Sequence, residues 1–363
     1  MDFNLTEDQI MFRDSAREFA EKRLAPVAEE MDAKSETPAE LLKEAAELGY
    51  FGLLGPEEYG GLNVDTLSYA LVMEEIAKSC AGFVVALSVH NSLVVKAVEM
   101  YGTDEQKEEY LPKLTSGEMI GAYSLSEPGS GTDAGSLSCQ AIADGDEYVL
   151  NGTKSWISTA VHAGVFVIFA LTDPEKGSGG ISAILVHPGA EGMSLGAPEK
   201  KMGIKCSDTR EISFMDARVP KANLLGEENG GFKIALSLLD NGRIGIAAQA
   251  LGIAEAAFDE ALKYSKERKQ FGQTLSSFQA IQFKLADMAT RIDAARLLVY
   301  RAAVLKDTER HASREISMAK LYASEVANYV ANQAVQIHGA YGYVKEYAVE
   351  RYFRDARVTE IYE

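Results

Sequence analysis

One stretch, Gly129-Ser130-Gly131-Thr132-Asp133-Ala134-Gly135, combines three glycines with two hydroxyls and a carboxylate. Glycines let main-chain N–H groups converge on an anion, so the chemistry within reach is the cradling of a phosphate or pyrophosphate. A plain glycine-rich turn is the other reading. A dinucleotide fingerprint needs a strand before such a stretch and a helix after it. Here Glu127-Pro128 precedes it, and an alternating, strand-like segment toward Ile142 and Tyr148 follows, which argues against a Rossmann site. Asp240 and Arg243 stand three apart on a helical stretch and share a face, either as a solvated ion pair or as a charged contact for a ligand. The histidines His90, His162, His187, His311 and His338 include no pair at the spacing of a helical metal site, and no Gly-x-Ser-x-Gly elbow is present. Cys80, Cys139 and Cys206 lie far apart, which excludes a zinc cluster and a disulfide framework and fits a reducing cytoplasm. Metalloenzyme and hydrolase chemistry are therefore not suggested.

The elements that must position these residues fall into three regions of a 363-residue chain, long enough for two or three packed units. The formal net charge of −18 sets it against nucleic acid and anionic membranes. The start, MDFNLTEDQ, lacks a signal peptide's basic and apolar segments, and Ala81–Met100, broken by His90, Asn91 and Lys96, reads as a buried helix and not a membrane span. Thr6 with Gln9 forms a capping box ahead of apolar residues at helical spacing. Further helices are expected over 40–48, 66–78, 82–100 and 104–114. From about residue 120 short β-rich runs follow: 142–150, 164–171, 181–186 and 210–214. Asp144-Gly145 and Asn151-Gly152 read as turns between them, so this region reads as a small sandwich or barrel. Beyond Gly230 helical spacing returns over 232–266, 278–306 and 313–338, with apolar residues around much of each surface, as in a bundle.

The segment Tyr123-Ser-Leu-Ser-Glu-Pro-Gly-Ser-Gly-Thr-Asp-Ala-Gly135 closely resembles the first signature of the acyl-CoA dehydrogenases, and Gln336-Ile-His-Gly-Ala-Tyr-Gly-Tyr343, continuing through Glu346, Arg351 and Asp355, resembles the second. Between them Lys154-Ser-Trp-Ile-Ser158, Leu239-Asp-Asn-Gly-Arg243 and Arg268-Lys-Gln-Phe-Gly272 fall in the family's order and approximate spacing. The resemblance covers nearly the whole chain. It implies an α+β fold with an N-terminal helical domain over 1–120, a middle β-barrel or sandwich domain over 121–228 and a C-terminal four-helix bundle over 229–363.

The resemblance also implies FAD as cofactor and no metal. Tyr123, Leu125, Ser126, Gly131 and Thr132 would line the flavin on one segment, and Trp156, Ile157 and Ser158 on the next, with the hydroxyls of Ser126 and Ser158 polarising the ring. Trp156, the only tryptophan, reads on its own as a core residue. Arg268, Phe271, Gln279 and the run Gln336, Ile337, His338, Gly339 and Ala340 match positions that hold the adenine half of a flavin in a neighbouring subunit. The family has Gly-Gly where this chain has Gly339-Ala340. Asp240, Asn241, Gly242, Arg243, Tyr362 and Thr132 match substrate contacts, the charged pair on the CoA moiety.

The implied reaction takes a proton from the α-carbon and a hydride from the β-carbon of an acyl-CoA, which requires a carboxylate base. The family carries that base either on the helix just before the arginine matched by Arg243, where this chain has Gly242, or in an Ile-Tyr-Glu loop, here Ile361-Tyr362-Glu363. The resemblance thus assigns the base to Glu363. The Asp240–Ala247 run and Phe283–Met288 look most like the short-chain, butyryl-type members, with a pocket floor expected from the helix of Leu87, Val89 and Asn91. Family chains continue past this glutamate with Gly-Thr and a final helix, so the tail is expected to be incomplete here. Electron-transferring flavoprotein is the expected acceptor and a homotetramer the expected assembly. An acyl-CoA oxidase, an acyl-CoA-forming reductase or a non-catalytic flavin- or CoA-binding protein are the alternatives on the same scaffold.

Overall fold

The computed structural model describes residues 4–309 and 311–363. Its first helix, α1 (Glu7–Phe19), starts at the expected capping box: the Gln9 N–H donates to Thr6 Oγ1 (3.2 Å) and the Thr6 N–H to Gln9 Oε1 (3.0 Å). Short helices α2 (Ala28–Lys34) and α3 (Ala39–Glu47) precede α4 (Thr66–Ser88), which runs through a π-helical stretch (Val89–Val95) into α5 (Lys96–Tyr101), with α6 (Asp104–Thr115) after it. The sequence predicts two helices with a break after Lys78. The break is there: Cys80 leaves helical geometry (φ −151°, ψ 93°), so α4 is two helical stretches joined across a kink. Carbonyls loosened around that point are taken by side chains from the C-terminal region: Arg351 Nη2 donates to Ser79 O (3.3 Å) and Gln249 Nε2 to Ala81 O (2.7 Å). The stretch Thr66–Tyr101 is long and apolar enough to cross a membrane, but 94% of its most apolar window is buried inside the protein.

The middle region is an eight-stranded sheet. β1 (Ile120–Ser124), which the β-rich runs above do not include, lies parallel to β4 (Ala163–Leu171). β2 (Gln140–Asp144) and β3 (Glu147–Ser158) form a hairpin across the Asp144-Gly145 turn. β5 (Ile181–Val186), β6 (Met193–Leu195), β7 (Thr209–Pro220) and β8 (Leu224–Leu225) complete the order β6-β7-β3-β2-β4-β5-β8. Asn151-Gly152 is not a turn. It is a bulge inside β3, where the register to β7 shifts between Leu150 and Gly152 and the Asn151 amide pairs with Asp216, itself at φ 50° on β7.

Long helices return with α7 (Gly231–Glu267); after a small hairpin of β9 (Lys269–Gln270) and β10 (Gln273–Thr274) come α8 (Gln279–Thr308), α9 (Ser313–His338) and α10 (Val349–Ala356). α7 packs against α9, α8 and α4. Gly252 is what lets α4 come so close, since a methyl there would run into the Glu74 carbonyl and sit 2.7 Å from Ala77 Cβ. The order of helices, sheet and helices is the one the sequence predicts. One apolar core runs through both helical regions, and a second lies within the sheet around Leu150, Phe166, Ile168, Ile184 and Phe214.

Candidate active site

The glycine-rich stretch follows β1 directly, and two buried anchors fix where it goes. Lys154 on β3 donates from Nζ to Glu127 Oε1 (2.7 Å) and to the Leu125 carbonyl (3.1 Å). Glu127 also accepts from the Ser138 and Cys139 N–H groups (2.7 and 3.0 Å) at the far end of the stretch. Both side chains are buried. Burial alone would push the Glu127 carboxyl up; Lys154 and the Ser138 contacts outweigh it and hold the group below the usual carboxylate range. Between these anchors Gly131 and Thr132 are exposed, and the space where a Gly131 side chain would go is open.

A bulge in β3 sits beside this loop. The register to β7 shifts between Lys154 and Ile157, and the Ser155 N–H donates to the Ser126 carbonyl (2.9 Å). Trp156 lies in the bulge at φ 64°, a left-handed conformation that costs a non-glycine residue of order 1–3 kcal/mol, and its indole is 62% exposed. Ile157 next to it is buried, while Ser126, Ser158 and Tyr123 are half-buried. Leu125, Ser126, Trp156 and Ser158 are thus gathered at one edge of the sheet. Tyr123 joins that edge to the bundle, its hydroxyl donating to the Ala235 carbonyl on α7 (3.3 Å).

The Glu363 carboxyl lies against Gly242 of α7: a methyl on Gly242 would overlap Oε2 and sit 2.7 Å from Cδ. Glu363 Oε2 is buried and has no hydrogen-bond partner among the described residues. Burial pushes this carboxyl up to about 7, against the opposing pull of Lys320 and Arg243. Arg243 Nε donates to the Glu363 main-chain oxygen (3.3 Å), and its Nη1 pairs with Asp240 (2.7 Å). The pair is therefore not simply solvated: both members are only about 29% exposed, and Arg243 borders a cleft of about 430 Å³ lined also by Ser317, Lys320, Glu360 and Glu363 among others. Asn241 is buried. The Tyr362 hydroxyl donates to Gln249 Oε1, so Gln249 joins the loop beside Glu363 to Ala81 of α4. Tyr69 donates to Ser88 Oγ (3.2 Å) where α4 meets Gly245. The Asn91 amide bonds the carbonyls of Tyr50 and Leu87 and the Leu54 N–H, while Ser88 faces Gly245 of α7. Gly242→Ala is expected to displace the Glu363 carboxyl while leaving the fold intact, losing at least 10-fold in turnover with little change in Tm, as read by steady-state kinetics and thermal melting.

The remaining candidates form a separate group at the other end of α7. Arg268 lies over the Tyr341 ring (5.5 Å), and Phe271, at φ 52°, is 93% exposed. Gln279, Gln336, Gly339 and Ala340 are exposed, and Ile337 is buried. His338 is buried, stacked on Tyr264 (4.2 Å) and bonded through Nδ1 to the Ala334 carbonyl, so its ring supports the turn from inside. Twenty-six positions of helix separate Gly242 from Arg268, about 40 Å along the axis.

Models of the acyl-CoA dehydrogenase N-terminal, middle and C-terminal domains match residues 6–118, 122–217 and 229–363. The chain belongs to the acyl-CoA dehydrogenase family. It is 52% identical to an acryloyl-CoA reductase (NADH) of Anaerotignum propionicum, covering 100% of this chain and 92% of that one. It is 49% identical to a short-chain specific acyl-CoA dehydrogenase of Clostridium acetobutylicum (100% and 96%). Among solved structures, butyryl-CoA dehydrogenase from Megasphaera elsdenii superposes with a TM-score of 0.98 at 47% identity (100% and 96%). A chain in the structure of the electron transferring flavoprotein of Acidaminococcus fermentans also gives 0.98, at 50% identity (100% and 95%).

Acyl-CoA dehydrogenases are oxidoreductases acting on CH–CH groups, and their cofactor is FAD. The residues of this acyl-CoA dehydrogenase fit such a group. A large planar side chain held exposed on a strained bulge, beside an open glycine loop and two half-buried hydroxyls, suits a flat polar ring system with a pyrophosphate. Reading the sequence left Glu127, Tyr69, Gln249 and Lys320 without a role. Gln249 carried a signal: it is the one amide in the apolar run Ile244–Ile253.

Proposed function

We propose that this chain is an FAD-dependent short-chain acyl-CoA dehydrogenase with Glu363 as the α-proton base. The observation that carries the reading is the Glu363 carboxylate itself: with Oε2 buried and unpartnered, and raised by desolvation to about 7, it is poised to take or return a proton near neutral pH. Arg243 and Asp240 hold the CoA portion at the mouth of the cleft, with Asn241, Gly242, Thr132 and Tyr362 along the thioester. FAD, when bound, accepts the hydride from the β-carbon. Tyr123, Leu125, Ser126, Gly131, Thr132, Trp156, Ile157 and Ser158 hold its ring end, with Trp156 as the packing surface and the two serines as hydrogen-bond donors. The short-chain preference is supported by the buried side chains of Tyr69, Ser88 and Gln249 and the half-buried Tyr362, which occupy the interior around the base. The Clostridium and Megasphaera relatives support it as well.

Electrons leave to an electron-transferring flavoprotein, as the Acidaminococcus similarity suggests. The exposed group of Arg268, Phe271, Gln279, Gln336, Gly339 and Ala340, with Ile337 and His338 beneath, serves the adenine half of a flavin in a neighbouring subunit of a homotetramer. Its distance from Glu363 supports that assignment, because one extended cofactor does not reach both. The cytoplasm is the proposed location, consistent with three unpaired cysteines.

A second reading is favoured by the 52% identity to acryloyl-CoA reductase: the same site run toward the saturated acyl-CoA, with Glu363 delivering the α-proton. Anaerobic titration of the flavin-loaded protein with butyryl-CoA and crotonyl-CoA tests both. Butyryl-CoA is expected to bleach the oxidised flavin, and crotonyl-CoA to reoxidise the reduced form. A protein that binds flavin and is bleached by neither short, medium nor long acyl-CoA would overturn the dehydrogenase reading and leave a binding protein.

A further inference from the structure

Two of the three cysteines, distant in sequence, meet in the fold. Cys80 sits where α4 leaves helical geometry, and Cys206 is carried by the segment between β6 and β7 that has no regular secondary structure. Their sulfurs are 3.5 Å apart. Both are buried, 7% and 5% exposed, and neither has regular helical or strand geometry. A disulfide requires the sulfurs to come about 1.5 Å closer.

All three regions of the chain meet here. Thr37 Oγ1 donates to the Cys206 carbonyl (2.9 Å), and Arg351 Nη2 to the Ser79 carbonyl. Asp355 accepts from the Ile204 N–H, and Arg354 Nη1 donates to the Met202 carbonyl (3.1 Å). Gly82, two residues after Cys80, is so close to Cys206 that an added methyl would sit 2.5 Å from its sulfur. We propose that Cys80 and Cys206 are a peroxide-sensitive dithiol that closes to a disulfide tying the N-terminal helices to the loop ahead of β7.

Cys80 is the attacking sulfur. The hydrogen bond from Cys206 and, against the effect of burial, the Arg351 guanidinium lower its thiol below the ordinary value, so it is the partner more readily present as thiolate. Its thiolate attacks one oxygen of hydrogen peroxide, the O–O bond breaks, and a sulfenic acid and one water form. The Cys206 sulfur then displaces the sulfenic oxygen as a second water, leaving the S–S bond. The two thiols lose two electrons and two protons, and the peroxide takes both.

The bridge also reaches the base loop. The residue after Cys80 is Ala81, whose carbonyl receives Gln249, and Gln249 receives the Tyr362 hydroxyl beside Glu363. Drawing Cys80 toward Cys206 shifts that carbonyl and loosens the loop that aims the carboxylate.

The test treats flavin-loaded protein with stoichiometric hydrogen peroxide, then alkylates, digests and maps the peptides. A Cys80–Cys206 cross-linked peptide is expected, with loss of the mass of two hydrogens and with Cys139 still alkylated. The thermal midpoint should rise and the rate of flavin bleaching by butyryl-CoA fall several-fold, both returning with dithiothreitol. C206A and, separately, C80A should keep the untreated rate and resist the change. Two thiols that stay reduced in the folded protein, or that carry separate adducts without a bridge, overturn the proposal. A bridge with an unaltered bleaching rate overturns its link to the base loop. Failure of bleaching in untreated protein would count against the dehydrogenase reading alone, since the bridge is read by peptide mass.

Discussion

Glu363→Gln is expected to slow flavin bleaching by short-chain acyl-CoA by about 10²–10⁴-fold, with the flavin still bound. The amide keeps the size of the carboxyl against Gly242 and cannot accept the α-proton. The pH dependence provides a second, independent readout. Below about 7 the folded carboxyl is protonated and idle, so kcat/KM should climb with pH through an acidic limb near that value. Lys320 is the leading group opposing the rise, so Lys320→Met removes a favourable charge and should move the limb to higher pH. Stability should respond in the opposite sense to activity. The unfolded carboxyl titrates at about 4.3, so between there and about 7 the folded state holds the extra proton and loses stability as pH rises. Glu363→Gln should flatten that part of the Tm-against-pH curve. A variant that bleaches at the unaltered rate would move the base elsewhere.

The parts of this fold that the sequence discloses are those governed by periodicity and local chemistry. The Thr6–Gln9 capping box, the long run of α7 and the Asp144-Gly145 turn each follow from a few adjacent residues, and the helix–sheet–helix order follows from change of period alone. The departures share a different cause. Asn151-Gly152 has the composition of a turn, yet β7 supplies Asp216 opposite it and makes it a bulge. Trp156 reads as core because nothing local says that a bulge turns its indole outward. Partners distant in sequence decided both.

The same limit applies at the candidate site. Motif resemblance picks out the residues that would touch cofactor and substrate, because they recur in fixed local patterns. It is silent on those that hold the contact residues in place. Gln249 acts between two regions, and Glu127 acts across its own loop to Ser138 and Cys139 and into β3. A buried lysine inside a strand is costly unless paired, so Lys154 within Tyr148–Ile157 was the one trace of that anchor in the sequence.

Lys154→Met should be the most damaging substitution outside the reacting groups. It leaves the Glu127 carboxylate buried with its cation gone, a change that costs about 3–5 kcal/mol in comparable sites. The Leu125 carbonyl loses its donor at the same time, and the exit from β1 toward Ser126 loosens. The expected result is a lower Tm together with flavin lost on gel filtration, since one anchor serves the whole stretch between Leu125 and Cys139. The double variant Glu127→Gln/Lys154→Met should recover part of the loss. The amide carries no charge to strand, its oxygen still accepts from the Ser138 or Cys139 N–H, and its nitrogen replaces the lysine as donor. The pH dependence separates this account from simple loss of packing. Without Lys154 only the Ser138 and Cys139 donors oppose desolvation, so the folded-state Glu127 carboxyl titrates higher than in the parent and holds its proton to higher pH. Lys154→Met should therefore be least destabilised at low pH and should lose further stability as pH rises, whereas a packing defect would leave the gap between variant and parent independent of pH.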